Sequence, residues 1–249
     1  MRALFVAAGL VVAISVAITG AAGARRAKQT PQTFSVGEGP HLGGQRSAVP
    51  LLEIHVPHRS GDLVVDGDTD DAAWFEGGAR TGAFVGENGA AARPFSEARL
   101  LWGDGHLYVA LYAADEDIVA QGADADGPVW LGDAFRLVFR SGDTEKSIEV
   151  SPLATLTDGM RIGSAAFDYG WQSGTHVSRE IDGTVNHAGD SDEEWGIEMA
   201  IPLEALGLTG KKGERIGFSA KRCDRSSGPP TRLCGTWGAG SARGTIVLD

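Results

Sequence analysis

An antiparallel β-sandwich, jelly-roll or immunoglobulin-like with short helical turns, is the all-β fold class this chain predicts. Three observations carry that expectation. Apolar and polar residues alternate with a period of two in run after run, which marks strands with one buried face. The runs are short and divided by turn signals rich in Gly and Asp, in a chain with 36 Gly and 10 Pro. Helical spacing is confined to brief stretches, and many short strands with few helices close best as two packed sheets.

The clearest run is residues 130–140. Phe135, Leu137 and Phe139 alternate with Arg136, Val138 and Arg140. Ser141-Gly142-Asp143-Thr144 is a turn signal, and Ile148 and Val150 begin a second alternating run. With Gly142-Asp143 as a two-residue loop, Phe135 faces Val150, Leu137 faces Ile148 and Arg136 stands opposite Glu149. Gly at the first central position suits a type II′ turn. The apolar pairs then share one face and the Arg-Glu pair the other, so pattern and register agree.

Before this hairpin the chain reads as follows. Met1 and Arg2 precede an apolar run from Ala3 to Ile18, and Ala22-Gly23-Ala24 offers a cleavage site, so residues 1–24 are expected to be a signal peptide. The run is also long enough to act, uncleaved, as a membrane anchor. Residues 25–50 have little apolar periodicity and predict a flexible leader, so the folded sandwich is expected over 51–249. Residues 52–56 and 63–65 predict strands, and residues 69–74 a short capped helix with Trp74 as a core plug. Residues 98–102 and 106–112 predict a hairpin around a three-residue loop, Gly103-Asp104-Gly105.

An acidic loop containing Asp115, Asp117, Asp124 and Asp126 leads into the central hairpin. After it, strands are expected at 160–167, 175–182, 195–201, 215–222 and 243–248, with Met199 inward. Residues 202–207 predict a short helix, Pro at its start and Gly at its end.

Charge narrows the partners. The formal net charge is −11, and residues 1–24 hold one Arg and no acid, so their removal gives −12. An acidic surface argues against nucleic acid and anionic membranes, leaving the membrane as a partner only through an uncleaved N-terminal segment. Neutral ligands and bound cations remain compatible. Export predicts a secreted or periplasmic protein, where Cys223 and Cys234 read as a disulfide. No His accompanies the pair at finger-like spacing, which disfavours a metal site.

Ordered landmarks carry a resemblance. Val65-Asp66-Gly67 and Asp70-Asp71-Ala72-Ala73-Trp74 come first, then Ala98-Arg99-Leu100-Leu101-Trp102-Gly103-Asp104 running to Leu107-Tyr108-Val109. Trp130-Leu131-Gly132-Asp133, Ile148-Glu149-Val150-Ser151-Pro152, the run from Trp195 to Pro202 and Gly217-Phe218-Ser219 complete the series. Together these resemble the family 9 carbohydrate-binding modules and their DOMON-like superfamily. The resemblance implies an antiparallel β-sandwich that binds sugars without catalysis and often carries calcium. In well-studied members two tryptophans sandwich a terminal sugar, while an acid and an arginine hydrogen-bond its hydroxyls. Trp130 matches the first tryptophan. Arg136 stands where those members have the acid and Glu149 where they have the arginine, so the charges are exchanged. The second tryptophan comes from a loop before the last strand, and here residues 238–243 carry no aromatic.

The expected partner is therefore an oligosaccharide or polysaccharide. Trp130, Asp133, Arg136 and Glu149 are its expected contacts, joined by Trp171 and His187 from neighbouring loops. Aromatic faces stack on sugar C–H groups, and charged groups hydrogen-bond hydroxyls. The competing structural reading makes Arg136 and Glu149 an exposed cross-strand ion pair, Trp171 a packed loop residue and His187 a solvated one.

Three other functions compete. Haem ligation, known in some DOMON-like domains, would use Met160 or Met199. Hydrolysis would use carboxylates such as Asp190, Asp192, Glu193 and Glu194. Spacing along a chain does not supply the separation that two-carboxylate chemistry requires, and no Ser-His-Asp signature appears, so no enzyme is expected. A structural or interaction sandwich without sugar binding is the third. Asp115, Asp117, Asp124 and Asp126 offer oxygen ligands for calcium, at a spacing unlike an EF-hand.

Overall fold

The alternating runs become strands in the order they were read. In the computed structural model, which describes residues 52–61, 63–122, 124–226, 232–239 and 243–249, the elements in chain order are β1 (Glu53–Val56), α1 (Ala72–Glu76), β2 (Ala79–Arg80), β3 (Val85–Gly86), β4 (Ser96–Gly103) and β5 (His106–Ala114). A 3-10 turn at Val129–Leu131 precedes β6 (Ala134–Ser141), β7 (Thr144–Val150), β8 (Leu156–Ile162) and β9 (His176–Asp182). Then come β10 (Glu194–Pro202), α2 (Leu203–Leu206), β11 (Arg215–Arg225), β12 (Arg232–Trp237) and β13 (Gly244–Leu248). The expected signal peptide and leader lie outside the described residues, as do residues 240–242 of the loop before the last strand.

Two sheets form the sandwich. The larger runs β1-β13-β11-β6-β7-β8, with β12 also pairing β11 and β3 pairing β12; the smaller runs β2-β4-β5-β10-β9. Ladders are antiparallel except for β1 against β13, which is parallel. Phe135, Leu137, Phe139, Ile148 and Val150 meet Val109, Leu111, Trp195, Ile197 and Met199 in the core. Burying a side chain of this size stabilises by roughly 1.5–3 kcal/mol, so the alternation fixes which face of each strand turns inward.

The β6–β7 register is the one the turn dictates: Phe135 opposite Val150, Arg136 opposite Glu149, Leu137 opposite Ile148. Gly142 has φ +56° and Asp143 is not among the positive-φ residues, as a type II′ turn requires. Cys223 and Cys234 form the expected disulfide between directly paired positions of β11 and β12.

The smaller sheet is covered on its second face too. Trp74 is fully buried there with Leu63, Leu101, Tyr108, Ala110 and Ala200. Buried Glu198 holds that covering segment, accepting the backbone N–H groups of Asp66 and Gly67 at 2.9 Å each and the Trp74 indole N–H at 2.6 Å. A Cβ on Gly67 would lie 2.2 Å from the Arg179 carbonyl carbon, so only glycine lets this loop sit down.

Four expectations change. Residues 63–65 are not a strand, because they lie over a sheet face instead of pairing with an edge. Asp71 precedes α1 without a side-chain capping bond. Gly103 pairs with His106, so the loop is the two-residue Asp104-Gly105 with φ +48° and +79°, a type I′ turn. The strand placed at 160–167 runs from Leu156 to Ile162.

Candidate functional site

Parity along β6 builds the site. Odd residues Phe135, Leu137 and Phe139 enter the core, so Ala134, Arg136, Val138 and Arg140 point outward. Pairing across the sheet sets Glu149 of β7 on one side of Arg136 and Lys221 of β11 on the other, with Thr236 of β12 beyond Lys221. Ala134, Arg136, Glu149 and Lys221 line a pocket of about 290 Å³ together with Trp130, Tyr169 and Arg232. A second pocket of about 380 Å³ shares Arg136, Tyr169 and Lys221 and extends to Arg140, Arg161 and Phe167.

The aromatics make a wall, not a slot. The Trp130 and Tyr169 rings lie 6.2 Å apart at 32°, and Tyr169 and Phe167 lie 6.1 Å apart at the same tilt. Such separations put the rings in contact, with no room for a sugar between them. Tyr169 packs on the backbone of β8, since a Cβ on Gly159 would stand 3.0 Å from its Cδ1. Arg136 and Arg161 place their guanidinium carbons 5.3 and 4.7 Å from the Phe167 ring centre.

Arg136 and Glu149 are 3.6 Å apart, but the exposed pair expected from the sequence is only half exposed. The Arg136 side chain is 36% accessible and that of Glu149 is 8%. Arg136 also donates from Nε to Ser147 Oγ at 2.9 Å. Burial pushes the Glu149 carboxyl above its ordinary value, while Arg136, Arg232 and Lys221 pull it back down. Lys221 and Arg232 are exposed, and neither has a hydrogen bond or ion pair among the described residues.

The other expected contacts lie elsewhere. Asp133 shares the parity of Phe135 and is fully buried, its two oxygens accepting the backbone N–H groups of Val119 at 2.6 Å and Arg225 at 2.5 Å. Burial and the neighbouring Asp115 push its pKa up to about 8. Trp171 is half-buried and near Lys146, whose Nζ lies 5.7 Å from its ring centre. Exposed His187 hydrogen-bonds Asp190 at 3.0 Å. Neither residue lines the two pockets.

Of Asp115, Asp117, Asp124 and Asp126, Asp115 alone joins a group of converging carboxylates among the described residues. Asp124 and Asp126 are exposed, whereas Asp115 is buried, accepting from the Trp195 indole at 2.9 Å and Arg222 at 2.7 Å. Asp115, Asp133 and Asp224 do converge, but Arg222 also donates to Asp224 at 2.8 Å. Arg222 supplies one positive charge to this trio, and both Asp133 oxygens are taken by backbone amides. Of the haem candidates, Met199 packs in the core and Met160 lies half-buried on β8. Among the hydrolase candidates, Asp192 accepts backbone N–H groups from Ile118 and Thr184, both at 2.7 Å, and Glu194 accepts the Tyr112 hydroxyl.

Sequence reasoning missed Tyr169, Phe167, Lys221 and Arg232. Phe167 and Tyr169 flank Asp168 at strand spacing, a signal that could have raised them above Trp171. Lys221 has the even-odd alternation of β11 as its signal, since Ala220 and Phe218 face the core.

No protein-family model matches the chain, and no curated relative does. Solved structures share its fold. A Bacteroides uniformis protein proposed to bind carbohydrate is 14% identical with a TM-score of 0.58, over 80% of this chain and 99% of that one. A family 9 carbohydrate-binding module from Caldicellulosiruptor kristjanssonii in complex with cellotriose is 16% identical, with a TM-score of 0.52 over 79% and 93% of the two chains. The same organism's family 9 module in complex with glucose gives 16% identity and a TM-score of 0.55 over 79% and 95%.

Proposed function

We propose that this protein is an exported, non-catalytic carbohydrate-binding module that holds oligosaccharides or polysaccharides on the outer face of its larger sheet and aids their recognition or breakdown. The observation that carries the reading is the pocket where Trp130 and Tyr169 stand beside Arg136 and Glu149. A sugar ring offers apolar C–H faces and polar edges together, and this pocket pairs an aromatic wall with charged hydrogen-bonding groups. The fold shared with modules in complex with cellotriose and glucose supports it.

Absence of catalysis rests on the use already made of the carboxylates. Asp133, Asp192 and Glu198 are tied to backbone amides in the interior. Export is supported by the disulfide and by the N-terminal sequence, and no helix among the described residues is long and apolar enough to cross a membrane.

Calorimetric titration against cello-, xylo- and other oligosaccharides tests the reading. Trp130→Ala and Tyr169→Ala should each weaken a bound sugar by about tenfold or more while leaving the melting temperature nearly unchanged, since both rings lie at the rim. Unchanged affinity in both variants would place the sugar elsewhere.

A further inference from the structure

Resting on that reading, we infer that the groove selects sugars carrying anionic groups, uronate carboxylates or sulfate esters, over neutral ones. The chain is acidic, at −11, yet this face is not. Arg136, Arg140, Arg161, Lys221 and Arg232 line the two joined pockets. Glu145 and Glu149 are the carboxylates beside them, which leaves an excess of three positive charges.

The pairing within the groove shows where the excess sits. Arg140 and Arg161 share one acid, Glu145, each at 2.9 Å. Arg136 has Glu149 at 3.6 Å and gives its Nε to Ser147. Lys221, the cross-strand neighbour of Arg136, and Arg232 on β12 have no acid within ion-pair distance among the described residues. Burial disfavours charge on Glu149, which weakens the groove's main internal counter-charge.

Hydrogen-bonding capacity points the same way. A neutral sugar hydroxyl both donates and accepts, so a site for it needs acceptors as well as donors. Lys and Arg only donate, and Arg presents a planar fork that matches an oxyanion bidentately. The aromatic wall accounts for the sugar ring, and the surplus of donors accounts for an acceptor-rich substituent on it. An extended nucleic acid suits the groove less, because its further phosphates would meet the acidic remainder of the protein.

The test is calorimetric titration of the full chain with oligogalacturonate, a sulfated oligosaccharide, cellotriose, xylotriose and a single-stranded oligonucleotide. Either acidic sugar should bind at least about tenfold tighter than the neutral ones, with affinity falling as NaCl rises. Lys221→Gln and Arg232→Gln should each weaken the acidic sugar severalfold, and Lys221→Arg should restore it, all with unchanged melting temperature. Stronger binding by oligogalacturonate or by the sulfated sugar tells carboxylate from sulfate. Equal or tighter, salt-insensitive binding of cellotriose or xylotriose overturns the inference and leaves the sugar-binding reading standing. Binding of the oligonucleotide alone, or of nothing, overturns both.

Discussion

At the level of single residues, Arg136 and Glu149 show how burial changes the meaning of a contact. Were both exposed, separating them would barely alter stability. Glu149 is buried, and the folded protein holds its carboxyl above the ordinary value, so the folded state keeps a proton that the unfolded chain releases. Stability contributed by this group is therefore lost as pH rises above the ordinary carboxylate range. Arg136→Ala removes the guanidinium 3.6 Å away that opposes that effect. It should destabilise by about 1–3 kcal/mol near neutral pH and by less at a pH within the ordinary carboxylate range, where the raised pKa favours the protonated Glu149. Denaturant melts at the two pH values check this; equal stability to wild type at both would show that Glu149 finds compensation without Arg136. Asp133 teaches the complementary lesson. It shares the parity of Phe135, Leu137 and Phe139, so its inward direction was readable from the alternation that made Arg136 point out.

Between elements, legibility followed locality. The β6–β7 hairpin was readable because a two-residue turn fixes register and the alternation agrees with it. Lys221 and Arg232 reach the same pocket only because β11 inserts between β6 and β13 and then carries β12, pairings that local pattern does not encode. Strand β12 was missed for a related reason: Arg-Leu-Cys-Gly-Thr-Trp has a central Gly and no clean alternation. Its attachment depends on β11, β3 and the Cys223–Cys234 bridge. With a sequence separation of 11, chain entropy assigns this bridge about 3 kcal/mol. Cys223→Ser with Cys234→Ser should destabilise by that order, and loosening of Arg232 should also weaken ligand binding. A double variant with wild-type melting temperature and affinity would show that strand pairing alone holds β12.

Across the whole molecule, acids are distributed by function: exposed ones give the negative surface, while buried ones organise loops. The trio Asp115, Asp133 and Asp224 gathers at the end of the core around one guanidinium, that of Arg222. Three carboxylates with one cation cannot all ionise cheaply in the interior, and burial pushes Asp133 up to about 8 and Asp224 up to about 6. Burial also raises Glu149 and Glu198, and acidic partners raise exposed His55 and His187. In each case the folded state binds protons more tightly than the unfolded chain. The carboxylates shifted the other way, Glu53, Asp190 and Glu214, titrate below the ordinary carboxylate range. Over the window from about pH 5 to pH 8 the unfolded chain has already released its carboxylate protons, while the folded protein still holds that of Asp133 and, in the lower part of the window, that of Asp224, so stability should fall as pH rises. Denaturant midpoints measured across that window check the sign, and Asp133→Asn, which cannot ionise, should flatten the slope even though it lowers stability overall. A midpoint that climbs from pH 5 to pH 8 would mean that the trio is ionised in the folded state throughout, with Arg222 and the surrounding amides sufficient to hold it so.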